Sequence, residues 1–199
     1  MRITPPLHRV LQLGLLLAGA SLLGACAGLS GASPATSTGF TLSSPGRADN
    51  TLLTQPYAGK NPKNPNCVGE NITPALAWTR APAGTRSFAI VMDDQAGRAG
   101  LGVNHWVAYG IAPTVSGLAE GEASTASSKL VAGKNTLGMP AYLGPCPPRG
   151  NAPQHYVYTL IATSLAPDAL PPGLNKAELM TALQGKALGA ASLVLRYAH

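Results

Sequence analysis

The chain has 199 residues and a formal charge of +6 at pH 7, with only 11% charged residues against about 25% in an average globular protein. Its basic residues are scattered, and no Lys/Arg run interleaves with aromatics, which argues against a nucleic-acid partner. The balance fits a loop-rich β domain whose surface is Ser, Thr, Asn and Gly rather than ion pairs.

Residues 1–25 read as a lipoprotein signal peptide. Arg2, His8 and Arg9 make a basic start with no acidic residue, and "VLQLGLLLAGASLL" is an apolar run too short for a spanning helix of about 20 residues. The run ends in "LLGAC", where a leucine and two small residues precede Cys26. This resembles the lipidation signal of bacterial lipoproteins, in which that cysteine is acylated and becomes the first residue; an ordinary signal peptide with a chance cysteine is the alternative. Ala27, rather than Asp, then favours the outer membrane by the same resemblance. Residues 26–39 are small and polar, a flexible tether. A single domain is expected over 40–199, and removal of Arg2 and Arg9 leaves 12 basic and 8 acidic residues, about +4.

Strand-like runs follow in order: "GFTLSS" (39–44), "LAWTR" (76–80), "SFAIVMDD" (87–94), "NHWVAYGIA" (104–112), "HYVYTLIATS" (155–164) and "SLVLRY" (192–197). Gly-, Pro- and Asn-rich turns separate them. The pattern predicts a mainly β, antiparallel sandwich or Greek key. A helix is expected near residues 175–188. Asn175 and Glu178 are spaced as a capping box, Met180, Leu183 and Ala187 share a face, and Gly189 stops it before the last strand.

With Cys26 assigned to lipid, Cys67 and Cys146 remain. In an oxidising compartment a lone pair reads as a disulfide, here closing a loop of about 80 residues; two buried free thiols are the alternative. Pro145, Pro147, Pro148 and Pro153 stiffen the stretch before the fifth run, since each fixes φ and removes a donor. His105 falls by alternation on one face with Val103, Val107 and Tyr109, where a histidine is more often core than ligand. Asp93 and Asp94 end a strand, Tyr156 begins one, and Trp78 and Trp106 are expected in the core.

Taken together, "CVGENITPALAW" (67–78), "APAGTRSFAIVMDD" (81–94), "HWVAYGI" (105–111) and "YLGPCPPRG…HYVYTL" (142–160) resemble the phosphatidylethanolamine-binding protein family, in particular its bacterial branch related to the Raf kinase inhibitor proteins. The resemblance implies two antiparallel sheets with a few peripheral helices and a small pocket for phosphate or a phosphorylated head group. Its pocket residues map onto Asp94, His105, Pro147, Pro148 and Tyr156. A protonated His105 and the Tyr156 hydroxyl are then donors to an anion, Asp94 orients the imidazole or receives an ammonium, and the turn Gly144–Cys146 adds backbone donors. The chain departs from the family where Asp94 is followed by Gln95-Ala96-Gly97-Arg98 in place of Pro-Asp-Ala-Pro. It departs again at Gln154, where many relatives carry His; His155 points away by alternation and does not substitute. Arg98 or Arg149 at the rim is a possible source of charge.

The reading is a lipid-anchored periplasmic binding protein for a small anionic or phosphorylated ligand, without catalysis or cofactor. A protein-interaction module, such as a protease or kinase inhibitor, is the alternative. A hydrolase built on Cys146 or a serine with His105 and Asp94 is disfavoured, because no nucleophile-elbow motif is present and a Cys67–Cys146 bridge consumes the thiol. A metal site is not expected, since His105 and Asp94 lack a third ligand at recognisable spacing.

Overall fold

The computed structural model describes residues 39–199; the signal segment 1–25, Cys26 and the tether as far as residue 38 lie outside the described residues. In chain order the strands are β1 (Thr41–Ser43), β2 (Thr51–Leu52), β3 (Leu76–Thr79), β4 (Ser87–Asp94), β5 (Val103–Ile111), β6 (Gly117–Leu118), β7 (Val131–Gly133), β8 (Gln154–Thr163) and β9 (Ala187–Tyr197). A helical turn, α1 (Gly97–Gly100), joins β4 to β5, and a helix, α2 (Lys176–Ala182), precedes β9.

The strands form two sheets, one in the order β1-β3-β6 and one in the order β2-β9-β8-β4-β5-β7. Alternation decides what lies between them. Phe88, Ile90 and Met92 of β4 and Tyr158 and Leu160 of β8 pack with Leu42, Leu76, Trp78 and Leu118 of the small sheet. The other face of β4 and β5 presents Ala89, Val91, Val107 and Tyr109, which Leu179 and Leu183 of the α2 segment cover. Trp78 and Trp106 are both buried, as expected, and Trp78 donates its indole N–H to Val115 O at 2.9 Å.

The sandwich is not wholly antiparallel: β2 pairs parallel with Leu195 and Arg196 of β9. The expected helix over 175–188 is also shorter. Asn175 and Glu178 do form a reciprocal capping box, but the helix ends at Ala182, and Gly185 in the left-handed region (φ 66°) turns the chain. Gly189 stops nothing; it lies inside β9, opposite Ala162. The long β8 explains this, because its pairing extends to Thr163↔Ala187 and so claims residues 187–191 for the sheet.

Candidate functional site

Antiparallel pairing brings three distant segments to one end of the large sheet. Asp94, the last residue of β4, lies opposite Val103 of β5 on one side and Tyr156 of β8 on the other. His105 arrives there by an irregularity. Met92 pairs with Trp106 and Asp93 with Asn104, so one step along β4 matches two along β5 and His105 is the extra, bulged residue. Strict alternation would have put His105 on the face of Val107 and Tyr109. The bulge turns it to the opposite face, where its ring meets the Tyr156 ring edge-on at 5.2 Å.

A bulged residue has free backbone groups, and here they dock the proline-rich loop. Leu143 N–H donates to His105 O at 3.0 Å, and His105 Nδ1 pairs with Leu143 O at 2.9 Å. The loop is fastened at three further points. Gly59 N–H donates to Pro145 O at 2.8 Å. Asn71, in the left-handed region (φ 61°), accepts the Gly144 N–H on Oδ1 and donates from Nδ2 to Tyr142 O. A disulfide joins Cys67 and Cys146, with Cα atoms 4.8 Å apart. Gly144 must be glycine: a Cβ there would sit 2.7 Å from both Gly59 N and Tyr57 O.

These elements enclose a cavity of about 450 Å³ bordered by Asp94, His105, Cys146, Pro148, Gln154 and Tyr156, a size that suits a small ligand. Gly144 and Pro147, also expected at the pocket, do not border it. Both are buried on the packed side of the loop, and the Gly144 N–H is already spent on Asn71, so the turn Gly144–Cys146 offers no such donor from that residue. His155 is exposed on the other face of β8, as alternation predicts. Arg98 borders the cavity, whereas Arg149 lies on a separate cleft beside Tyr197 and His199. Arg98 and Ala99 both take left-handed backbone (φ 53° and 59°), which costs about 1–2 kcal/mol each for residues with a Cβ. Strain of this kind concentrates at ligand-facing turns.

The electrostatics differ from expectation in two respects: Asp94 does not orient the imidazole, and burial disfavours the protonated, donating His105. Asp94 makes no hydrogen bond to His105; its Oδ1 accepts the Ala96 and Gly97 N–H groups at 2.9 and 3.1 Å. The imidazole is oriented by the Leu143 carbonyl instead. Burial pushes the proton affinity of His105 below the ordinary histidine value of 6.5, and the Leu143 hydrogen bond with Asp94 and Asp93 only partly opposes this. The neutral ring, with its hydrogen on Nδ1, turns an accepting Nε2 to the site. Burial, then the Asp94 charge, raises the Tyr156 phenol well above its usual range, so it stays a hydroxyl. That hydroxyl donates to Gln154 Oε1 at 3.4 Å, a long hydrogen bond.

Asn61, Asn64, Thr136 and Asn151 also border the cavity and were not singled out in the sequence. The only trace of the first two is the turn chemistry of "GKNPKNPNC". With Cys67 and Cys146 joined in the disulfide, no free thiol is left for a nucleophile among the described residues. Among the described residues, no group of three His, Cys, Asp or Glu side chains is placed to hold a metal ion, and no helix is long and apolar enough to cross a membrane.

Residues 43–198 match the family model described as phosphatidylethanolamine-binding protein. The chain is 34% identical over 137 residues to a UPF0098 protein of Aquifex aeolicus, covering 68% of this chain and 80% of that one. It is 37% identical over 129 residues to a Mycobacterium tuberculosis protein named as the lipoprotein LppC, covering 65% and 61%. Among solved structures, Escherichia coli YbcL, described as a member of the mammalian PEBP family, superposes with a TM-score of 0.70 at 26% identity, over 80% of this chain and 98% of that one. The PEBP homologue CT736 of Chlamydia trachomatis gives 0.69 at 27% identity, over 82% and 99%.

Proposed function

Because the chain belongs to the phosphatidylethanolamine-binding protein family, we propose that it is a non-catalytic binding protein whose cavity takes a small anion or a phosphorylated head group. One observation carries the reading: Asp94, His105, Gln154 and Tyr156, from three strands, border a single cavity together with Pro148 of a loop fastened on several sides. A wall with so little freedom loses little entropy when a ligand binds. Arg98 supplies the cation, and its guanidinium has no hydrogen bond or ion pair among the described residues. The Gln154 amide N–H group supplies a neutral donor. The Tyr156 hydroxyl supplies a second once it turns from Gln154 Oε1, to which it donates at 3.4 Å, toward the ligand.

The same proposal places the domain in the periplasm, held at the outer membrane by lipid on Cys26. Support comes from "LLGAC" and from the lipoprotein name of the mycobacterial relative. Two measurements test it. Titrating the full-length chain in detergent with inorganic phosphate or phosphoethanolamine should shift the His105 and Tyr156 ring resonances saturably; flat titrations in the millimolar range overturn the binding reading. Palmitate labelling of the expressed protein should vanish in Cys26→Ser, and labelling that persists overturns the anchor.

A second reading, a protein-interaction module, is favoured by the exposed Leu101 and Leu137 on the two loops that flank the cavity.

A further inference from the structure

The polar groups of the cavity divide unevenly between acceptors and donors. Asp94 and His105 are both buried in its wall, 2% and 5% exposed, and each keeps one side-chain polar atom with no hydrogen bond among the described residues. On Asp94 this is Oδ2, since Oδ1 holds the α1 turn. On His105 it is Nε2, since Nδ1 pairs with the Leu143 carbonyl. Both leftover atoms accept hydrogen bonds when the ring is neutral. The groups facing this pair are Tyr156 from β8, the Leu143 and Gly144 carbonyls from the proline loop, and Arg98 from α1, while Asp93 of β4 acts on His105 through its charge. Asp93 is paired at 2.8 Å with Lys176. The buried end of the cavity therefore offers lone pairs, and the cation stands at its exposed edge.

A bare oxyanion would set lone pair against lone pair there, whereas an oxyanion that carries a hydrogen gives one to the acceptor pair. From the geometry we infer that the cavity selects oxyanions by their hydrogen content. It takes phosphate or a phosphomonoester bearing one P–O–H, donated to Asp94 Oδ2 or His105 Nε2, and it rejects sulfate and phosphodiesters. The remaining phosphoryl oxygens accept from the Gln154 amide, the Tyr156 hydroxyl and Arg98. The inference rests on the anion-binding reading above and narrows its ligand class: a hydrogen-bond donor is strongly preferred where an entering ligand excludes water and would otherwise leave these acceptors unpaired.

The test is calorimetric titration of the full-length chain in detergent, in oxyanion-free buffer between pH 7 and 8, with inorganic phosphate, methyl phosphate, dimethyl phosphate and sulfate. The window lies above the titration of His105 and above the second ionisation of a phosphomonoester, near pH 6. The methyl phosphate and inorganic phosphate arms separate an ester head group from free phosphate. Expected are binding of methyl phosphate, inorganic phosphate or both, at least roughly tenfold tighter than sulfate and dimethyl phosphate, and a loss of about tenfold in methyl phosphate affinity from pH 7 to 8 as its hydrogen is titrated away. In Asp94→Asn, the amide keeps an oxygen for the α1 turn and presents a donor in place of Oδ2, so sulfate affinity should rise and the phosphate preference collapse. Equal binding of phosphate and sulfate with no pH slope overturns the inference and leaves the anion-binding reading standing; no binding of any of the four overturns both. Should Asp94→Asn fail to fold, the wild-type ratios and the pH slope decide.

Discussion

Asn71 Oδ1 accepts the backbone N–H of Gly144 at 2.7 Å, tying together two segments 73 residues apart. Its Nδ2 donates to Tyr142 O at 3.2 Å, so one side chain satisfies two backbone groups of the loop that walls the cavity. Asn71→Ala should destabilise the protein by roughly 1–3 kcal/mol through the orphaned groups, with about 1 kcal/mol more because alanine is strained at this positive φ. Urea unfolding midpoints measure the loss. A variant within a few tenths of a kcal/mol of the parent would show that water replaces the clamp.

Gly144 and Gly59 lie back to back. A methyl on Gly144 would meet Gly59 N, Tyr57 O and Ala58 C within 3 Å, and these are backbone atoms that cannot rotate aside. Gly144→Ala should cost about 1–3 kcal/mol, as overpacking of a tight contact does. It should also weaken phosphate binding by moving Cys146 and Pro148. Gly121→Ala is the control: its backbone φ is also positive (75°), but nothing lies within 4 Å of its Cβ, so the loss there is the strain alone.

The Cys67–Cys146 bridge closes a loop of 79 residues' separation. In the chain-entropy picture its removal by Cys67→Ser/Cys146→Ser should cost about 4 kcal/mol. Denaturation with and without reductant measures the same difference in the parent. A double variant as stable as the oxidised parent would show that the loop is ordered without the bridge.

His105 makes stability depend on pH with a definite sign. Its folded-state proton affinity lies below that of the unfolded chain, whose value is near 6.5. Between those two values the unfolded chain holds more protons, so stability rises with pH there. As acid is added through pH 6.5 stability is lost, at about 1.4 kcal/mol per pH unit at the steepest, and the loss levels off below the folded-state value. Unfolding midpoints from pH 7.5 to 5 should fall less steeply in His105→Gln. Equal slopes in the two proteins would assign the acid sensitivity to other groups.

The sequence made some of this legible and not the rest, for physical reasons that can be named. β4 is readable to the residue because both its faces are buried and bounded by turn chemistry. Short β2, β6 and β7 carry too few residues to display a period, and they exist by pairing alone. The end of α2 was missed because the demand came from β8, distant in sequence, and not from Gly189. At the site, Asp94, His105, Gln154 and Tyr156 were identified through the family resemblance, and antiparallel register gathers them. The orientation of His105 was invisible because alternation fails at a bulge, and no residue type announces this one. The imidazole's partner, a Leu143 carbonyl, belongs to a group every residue carries.

One surplus residue in β5 has an evolutionary corollary. Deleting it would remove this irregularity from the β4–β5 ladder, leaving only the one between Phe88 and Ile90, and would take away the imidazole from the site and the mooring of Leu143. Random length change in this strand thus separates foldability from ligand handling, and homologues that have abandoned the pocket should be recognisable by a shortened "VNHWV" stretch.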